Sequence, residues 1–239
     1  MANTLKDIQK DISNDAVRRL VDLTEFTGEL PPRSPVQGSS HGYTSGGITP
    51  SYSNVIDRFS FVSNGNATNV GDLTESKRGA AGQSSDVSGY ASGGNTGSAS
   101  NVIDKFPFAS NTTNATDVGD LTVSRYLAAG QSSNVSGYTS GGFGSTNTID
   151  KFPFASNANA TDVGDLTLSR SGEAGQSSNV YGYTSGGSIG SPARSNVIDK
   201  FSFVTNVNAT DVGNLTVARY GQAGQSSTAS GYTSGGTHN

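Results

Sequence analysis

Apolar side chains enter this sequence thinly and on a fixed schedule, singly or in short groups among Ser, Thr, Asn and Gly. Gly-Tyr-(Thr/Ala)-Ser-Gly-Gly begins at Gly42, Gly89, Gly137, Gly182 and Gly231, at intervals of 47, 48, 45 and 49 residues. Ile-Asp-(Lys/Arg)-Phe begins at Ile56, Ile103, Ile149 and Ile198, and Gly-(Asp/Asn)-Leu-Thr at Gly71, Gly119, Gly164 and Gly213. An Arg follows each of the latter (Arg78, Arg125, Arg170 and Arg219), then Ala-Gly-Gln-Ser-Ser ending at Ser85, Ser133, Ser178 and Ser227. Each period therefore predicts four short strands separated by Gly and Asn/Asp turns. Strand a is Ala-Gly-Gln-Ser-Ser and strand b Gly-Tyr-Thr-Ser-Gly-Gly. Strand c is Asn-Val-Ile-Asp-Lys-Phe-Pro-Phe and strand d Ala-Thr-Asp-Val-Gly-Asp-Leu-Thr. In strand c, Val102, Asp104 and Pro107 are expected to interrupt a face carrying Ile103 and either Phe106 or Phe108. Four strands per period suit a propeller blade, and a β-helix coil would be half that length or less.

Composition tests whether so thin a pattern folds. Ser, Thr, Asn and Gly make up 113 of the 239 residues, and Leu, Ile, Val and Phe only 46. Disorder of that composition normally carries high net charge. Here charged residues are 14% and the net charge is −4, so a folded all-β chain is expected. The absence of Cys excludes disulfides and Cys-based metal or nucleophile sites. His41 and His238 are the only histidines, which argues against a His triad or His metal cluster. No apolar run is long enough for a transmembrane helix, and the first residues show no signal-peptide core. Fifteen Lys+Arg against nineteen Asp+Glu leave no basic surplus for nucleic acid. No enzyme, cofactor, metal site, nucleic-acid partner or membrane span is expected.

Arg125, Tyr138, Gly141-Gly142, Phe152 and Leu166 follow the order of a kelch-type β-propeller blade, and the order repeats in every period. Residues 33–236 thus resemble a kelch-like array, without the Trp usual in the fourth kelch strand. The Ile-Asp-Lys-Phe, Gly-Asp-Leu-Thr and Ala-Gly-Gln-Ser-Ser repeats are more closely similar to virion structural proteins of tailed phages that infect marine cyanobacteria. That resemblance implies a tail, fibre or capsid-appended component in the virion, among other virion proteins; a homo-oligomeric state, from an open sheet edge, and a host-surface glycan, from the connector loops, are separate expectations. Four blades plus a surplus a–b pair, Arg219 to Gly236, are expected. The open edge has two solutions. Val21-Asp22-Leu23-Thr24-Glu25, which echoes Val70 to Glu75, could supply a late strand and close a fifth blade, or a neighbouring subunit could cap the edge.

Residues 1–30 differ in kind. Leu5, Ile8, Ile12, Ala16 and Leu20 follow helical spacing and predict an amphipathic helix. It either packs on its own propeller or docks on a partner through Leu5, Ile8, Ile12 and Leu20; the docking reading is the one carried forward. Residues 31–38, with Pro31, Pro32 and Pro35, form a stiff linker to the repeats of 39–239.

The repeated Asp57, Asp104, Asp150 and Asp199 invite an acid–base or metal reading. One per blade, they are better explained as structural partners of Lys, Arg or backbone N–H groups. Asp117-Val118-Gly119-Asp120 and its copies fit no dedicated Ca²⁺ loop and read as turns. The sequons at Asn66, Asn114, Asn159 and Asn208 likewise read as turn-forming Asn. Recognition is expected in the connectors 48–53, 95–100, 143–146 and 188–195, which differ in length and gather on one rim of a propeller. Their candidate anchors are Tyr52, Phe143 and Arg194. Three functions remain open: attachment by a virion protein, a free kelch-like interaction module, and, more weakly, a glycan-active enzyme.

Overall fold

A computed structural model of the chain describes residues 40–238 apart from 111, 145 and 228. Among these residues every element is a β-strand, and all sheets are antiparallel. The first sheet holds β1 (His41–Ser45), β2 (Val55–Ser60) and β3 (Thr68–Asp72). The second holds β4 (Ala81–Ser84), β5 (Ser88–Ser92), β6 (Val102–Pro107) and β7 (Thr116–Asp120). The third holds β8 (Ala129–Ser132), β9 (Ser136–Ser140), β10 (Thr148–Pro153) and β11 (Thr161–Asp165). The fourth holds β12 (Ala174–Ser177), β13 (Tyr181–Ser185), β16 (Val197–Ser202) and β17 (Thr210–Asn214), with the hairpin β14 (Ser188–Gly190) and β15 (Ala193–Arg194) between its middle strands. The fifth has two strands, β18 (Ala223–Ser226) and β19 (Gly231–Ser234). Each complete sheet runs a-b-c-d in chain order, as the motifs predict. The expected helix over residues 1–30 and the late strand at Val21–Glu25 lie outside the described residues.

Strand c departs from the expected single apolar face, because both of its faces are buried. Ile103 points to one side and packs with Tyr90, Val118 and Leu121 against Phe152 of the next sheet. Phe106 points to the other side and packs against Ile56, Val70 and Leu73 of the preceding sheet, with Phe108 partly buried beside it. Asp104 shares that second side and is fully buried. Each sheet thus has a front of Tyr, Ile, Val and Leu and a back of two Phe and an Ala. The third and fourth sheets repeat the contact, with Tyr138, Ile149 and Leu166 against Phe201, Phe203 and Ala209. Burying each such Ile or Phe contributes about 1.5–3 kcal/mol. So few apolar residues suffice because each is covered by a neighbouring sheet.

The a strands lie side by side across successive sheets. A Cβ added to Gly130 of β8 would stand 2.1 Å from the carbonyl oxygen of Gly82 in β4, so only glycine permits that approach. Just upstream, the backbone hydrogen bonds itself across sheets: Leu127 N–H donates to Gly79 O, Gly172 to Leu127 O, and Gly221 to Gly172 O, each at 2.7 Å. Leu127 holds φ +56° where the other three are glycines with φ +64° to +69°, a conformation that costs an L side chain about 1–2 kcal/mol.

Candidate functional site

Three of the four repeated aspartates, Asp104, Asp150 and Asp199, each pair with a buried cation, the structural role expected for them. Lys77 Nζ lies 2.8 Å from Asp104 Oδ2, an ion-pair distance, though poorly aimed for a hydrogen bond. Arg170 Nη2 donates to Asp199 Oδ2 at 2.8 Å, and Arg125 Nη2 to Asp150 Oδ2. All six side chains are fully buried. Burial pulls the Arg125 and Arg170 pKa values down, and the paired carboxylates oppose that shift. Each carboxylate also reaches the preceding sheet: Thr74, Thr122 and Thr167 hydroxyls donate to Asp104, Asp150 and Asp199 at 2.5, 2.6 and 2.7 Å. Each carboxylate therefore ties its own sheet to the one before. In the first such site the cation is Lys77, which stands six residues after Gly71 as Arg125, Arg170 and Arg219 stand after Gly119, Gly164 and Gly213, and not the neighbouring Arg78.

The Asp-Val-Gly-Asp turns close in the same structural way. Asp117, Asp162 and Asp211 side chains accept the N–H two residues on, and Asn69 does so at the equivalent place. A neutral Asn serves as well, so the position needs an acceptor and not a charge. The Asn of the sequons act between sheets: Asn114, Asn159 and Asn208 accept the backbone N–H of Asp72, Asp120 and Asp165, each at 3.1 Å. No group of three or more His, Asp or Glu suited to a metal ion occurs among the described residues.

One buried carboxyl breaks the pattern. Glu173 is buried, and neither of its oxygens makes a well-aligned hydrogen bond, although the backbone N–H groups of Glu173 and Gly142 lie near. Burial raises its pKa from 4.5 to about 8, opposed by its own backbone N–H and then by Arg170, Arg125 and the Gly142 N–H. The equivalent residue in the next period is Gln222, whose Nε2 donates to Ser185 O at 2.7 Å.

The connectors are where the periods diverge, and two of the three anchors expected there belong to one stacked strip. Arg78 has its guanidinium 5.7 Å from the Tyr52 ring centroid and 6.0 Å from that of Tyr126. Tyr126 in turn stacks on Phe143 with centroids 4.7 Å apart. Backbone pairing sets the spacing: Arg78 bridges Asn95, and Phe143 N–H donates to Tyr126 O at 2.7 Å. Arg194 lies apart from this strip, 4.0 Å over the Tyr220 ring. Between the two groups the equivalent residue is Ser171, which bridges Ser188. Phe143 is 54% exposed. Sequence reasoning missed Arg78, Tyr126 and Tyr220, although a signal was present. The residue directly after the buried cation varies as Arg78, Tyr126, Ser171 and Tyr220 while its neighbours repeat. The docking candidates Leu5, Ile8, Ile12 and Leu20 lie outside the described residues.

Planar rings and a guanidinium held side by side offer faces for C–H and cation stacking. No helix among the described residues is long and apolar enough to cross a membrane. Neither a protein-family model nor a curated protein matches the chain.

Proposed function

We propose that this chain is a non-enzymatic structural protein of a tailed-phage virion, a tail, fibre or capsid appendage, that works by attachment. Its five sheets are read as kelch-like propeller blades, four of them b-c-d or a-b-c-d and one a half-blade. Residues 1–30 dock on other virion proteins through Leu5, Ile8, Ile12 and Leu20, which places the protein in the particle. The rim presents Tyr52, Arg78, Tyr126 and Phe143 to a host-surface glycan, whose sugar faces suit stacking on aromatic rings. The observation that supports attachment is the contrast between near-identical sheet-to-sheet joints and a connector strip that changes from period to period.

The test is sedimentation of the native source material on a density gradient, followed by peptide mass spectrometry for this chain. Banding with particles at fixed stoichiometry is expected. Recovery only from the soluble fraction would discard the virion reading in favour of a free kelch-like interaction module. Incubation with host polysaccharide should give binding without new reducing ends; their release would mean a glycan-active enzyme instead.

A further inference from the structure

Three internal joints define what the front of one sheet accepts from the next, and the outer sheets each leave half of such a joint open. On the fourth sheet, Val212 is 47% exposed, while its counterpart Val118 is buried. Asn214 is exposed as well, where its counterparts Asp72, Asp120 and Asp165 are partly covered. Gly213 marks the opening most clearly. A Cβ on Gly71, Gly119 or Gly164 would stand 2.7, 2.5 or 2.7 Å from the carbonyl oxygen of Thr113, Ala158 or Val207, in the turn of the following sheet. Gly213 holds a matching φ, +149°, and nothing lies within 4 Å of that position.

Beside this opening the fifth sheet supplies only strands a and b. Arg219 stands at the place of Lys77, Arg125 and Arg170. Among the described residues it meets no carboxylate, only the carbonyls of Thr233 and Gly235 at 3.3 and 3.4 Å, and its Nε is buried without a hydrogen bond. Tyr90 and Tyr138 are covered by the Phe pair of the next sheet, whereas Tyr232 on β19 is 56% exposed.

The first sheet displays the missing half. Phe59 and Phe61 are exposed, yet their rings already stand 5.6 Å apart and nearly perpendicular, much as Phe106 and Phe108 do in the second sheet. Ala67, the counterpart of the buried Ala115, is exposed too, next to Gly65 and Asn66 at the places of Thr113 and Asn114. Strand b is duplicated: β19 carries the Gly-Tyr-Thr-Ser-Gly-Gly of β1.

We propose that β18–β19 of one copy and β2–β3 of a second copy combine into one complete four-stranded sheet, with β19 replacing β1 on β2. In the register that β1 now uses, Tyr232 would stand opposite Arg58 and Thr233 opposite Asp57. Asp57 then receives Arg219 and the Thr216 hydroxyl, as Asp150 receives Arg125 and Thr122. Asn66 and Ala67 pair with the backbone of Asn214, the turn at Gly65 closes over Gly213, and Phe59 and Phe61 cover Tyr183 and Val212. Among the described residues nothing covers Val212, Gly213, Tyr232, Phe61 or Ala67, and the two open halves match each other, so the occupant is a second copy. The two surfaces differ, so the contact is head-to-tail and generates a ring or a filament.

Sedimentation velocity of the full chain over rising concentration tests this. Wild type should run as multiples of the protomer mass. Val212→Asp and Phe61→Asp should each run as monomers, with unchanged thermal unfolding of the monomer because both side chains are exposed. An equimolar mixture of the two variants retains one intact surface on each and should give a dimer and nothing larger. In the assembled wild type, hydrogen exchange at Gly231–Ser234 should slow at least tenfold. Monomers at every concentration, a mixture that stays monomeric, or assembly without protection of β19 would each overturn the proposal.

Discussion

The joint between the third and fourth sheets and the connector rim are built from the same repeats yet obey opposite rules. In the joint, Tyr138, Ile149 and Leu166 meet Phe201 and Phe203 as their counterparts meet in the joint before. At the rim the corresponding positions read Arg78, Tyr126, Ser171 and Tyr220, with connectors of different lengths. A joint residue is seen by two sheets at once, so any change must satisfy both. A rim residue touches one or two neighbours and solvent, so it can change alone. Under the proposed function, stability and recognition fall to separate parts of each period.

The sharpest way to break this division is Asp150→Ala. It strands the Arg125 guanidinium in a buried site and removes the anchor of Thr122. A loss of about 3–5 kcal/mol is expected, read as the shift in denaturant midpoint. A loss below about 1 kcal/mol would mean that the joint does not depend on its buried pairs.

Glu173→Gln should act in the opposite direction. The unfolded carboxyl ionises near 4.5 and the folded one near 8. Between those values the unfolded state is the one that has lost its proton, so folding stability falls as pH rises from about 4.5 to 8 and levels off outside that window. The substituted amide would donate as that of Gln222 does and lack this slope. The variant should match wild type near pH 4 and exceed it by a few kcal/mol, roughly, at pH 8. Parallel stability–pH curves for the two proteins would count against a neutral Glu173.

Leu127→Gly restores the residue type found at the other three positions of the cross-sheet ladder. Relief of the left-handed conformation should stabilise by about 1 kcal/mol, less the loss of the side chain's own contacts. Thermal unfolding of the variant beside wild type measures it. The smallest effect on stability is expected at the rim. Phe143→Ala should move the unfolding midpoint by no more than about 0.5 kcal/mol equivalent, while binding to cell-surface polysaccharide falls at least tenfold. A variant that binds as well as wild type would remove Phe143 from the recognition surface.

Strand identity and order could be read from the sequence because each motif returns four or five times, so Gly-Tyr-Thr-Ser or Val-Ile-Asp-Lys-Phe is fixed by repetition and not by local propensity. The pairing of the repeated Asp with a cation was readable too. What escaped was placement by residue type: matching Arg to Arg selects Arg78, whereas the six-residue spacing from Gly71 selects Lys77, as Arg125 stands six residues after Gly119. The roles of Thr122 and Asn159 were hidden for another reason. Their partners, Asp150 and Asp120, are 28 and 39 residues away in neighbouring sheets, and a period read by itself shows no neighbours. Tyr126 was overlooked because it follows a repeated Arg and looks like drift until its ring is seen against Phe143.

The uniformity of the joints also bears on how such a gene can change. A front made by any period accepts the back made by any other, through the same carboxylate, threonine, asparagine and Phe pair. Recombination that excises or duplicates one whole period therefore rejoins matching surfaces, and the array can lengthen or shorten by whole units without any compensating substitution.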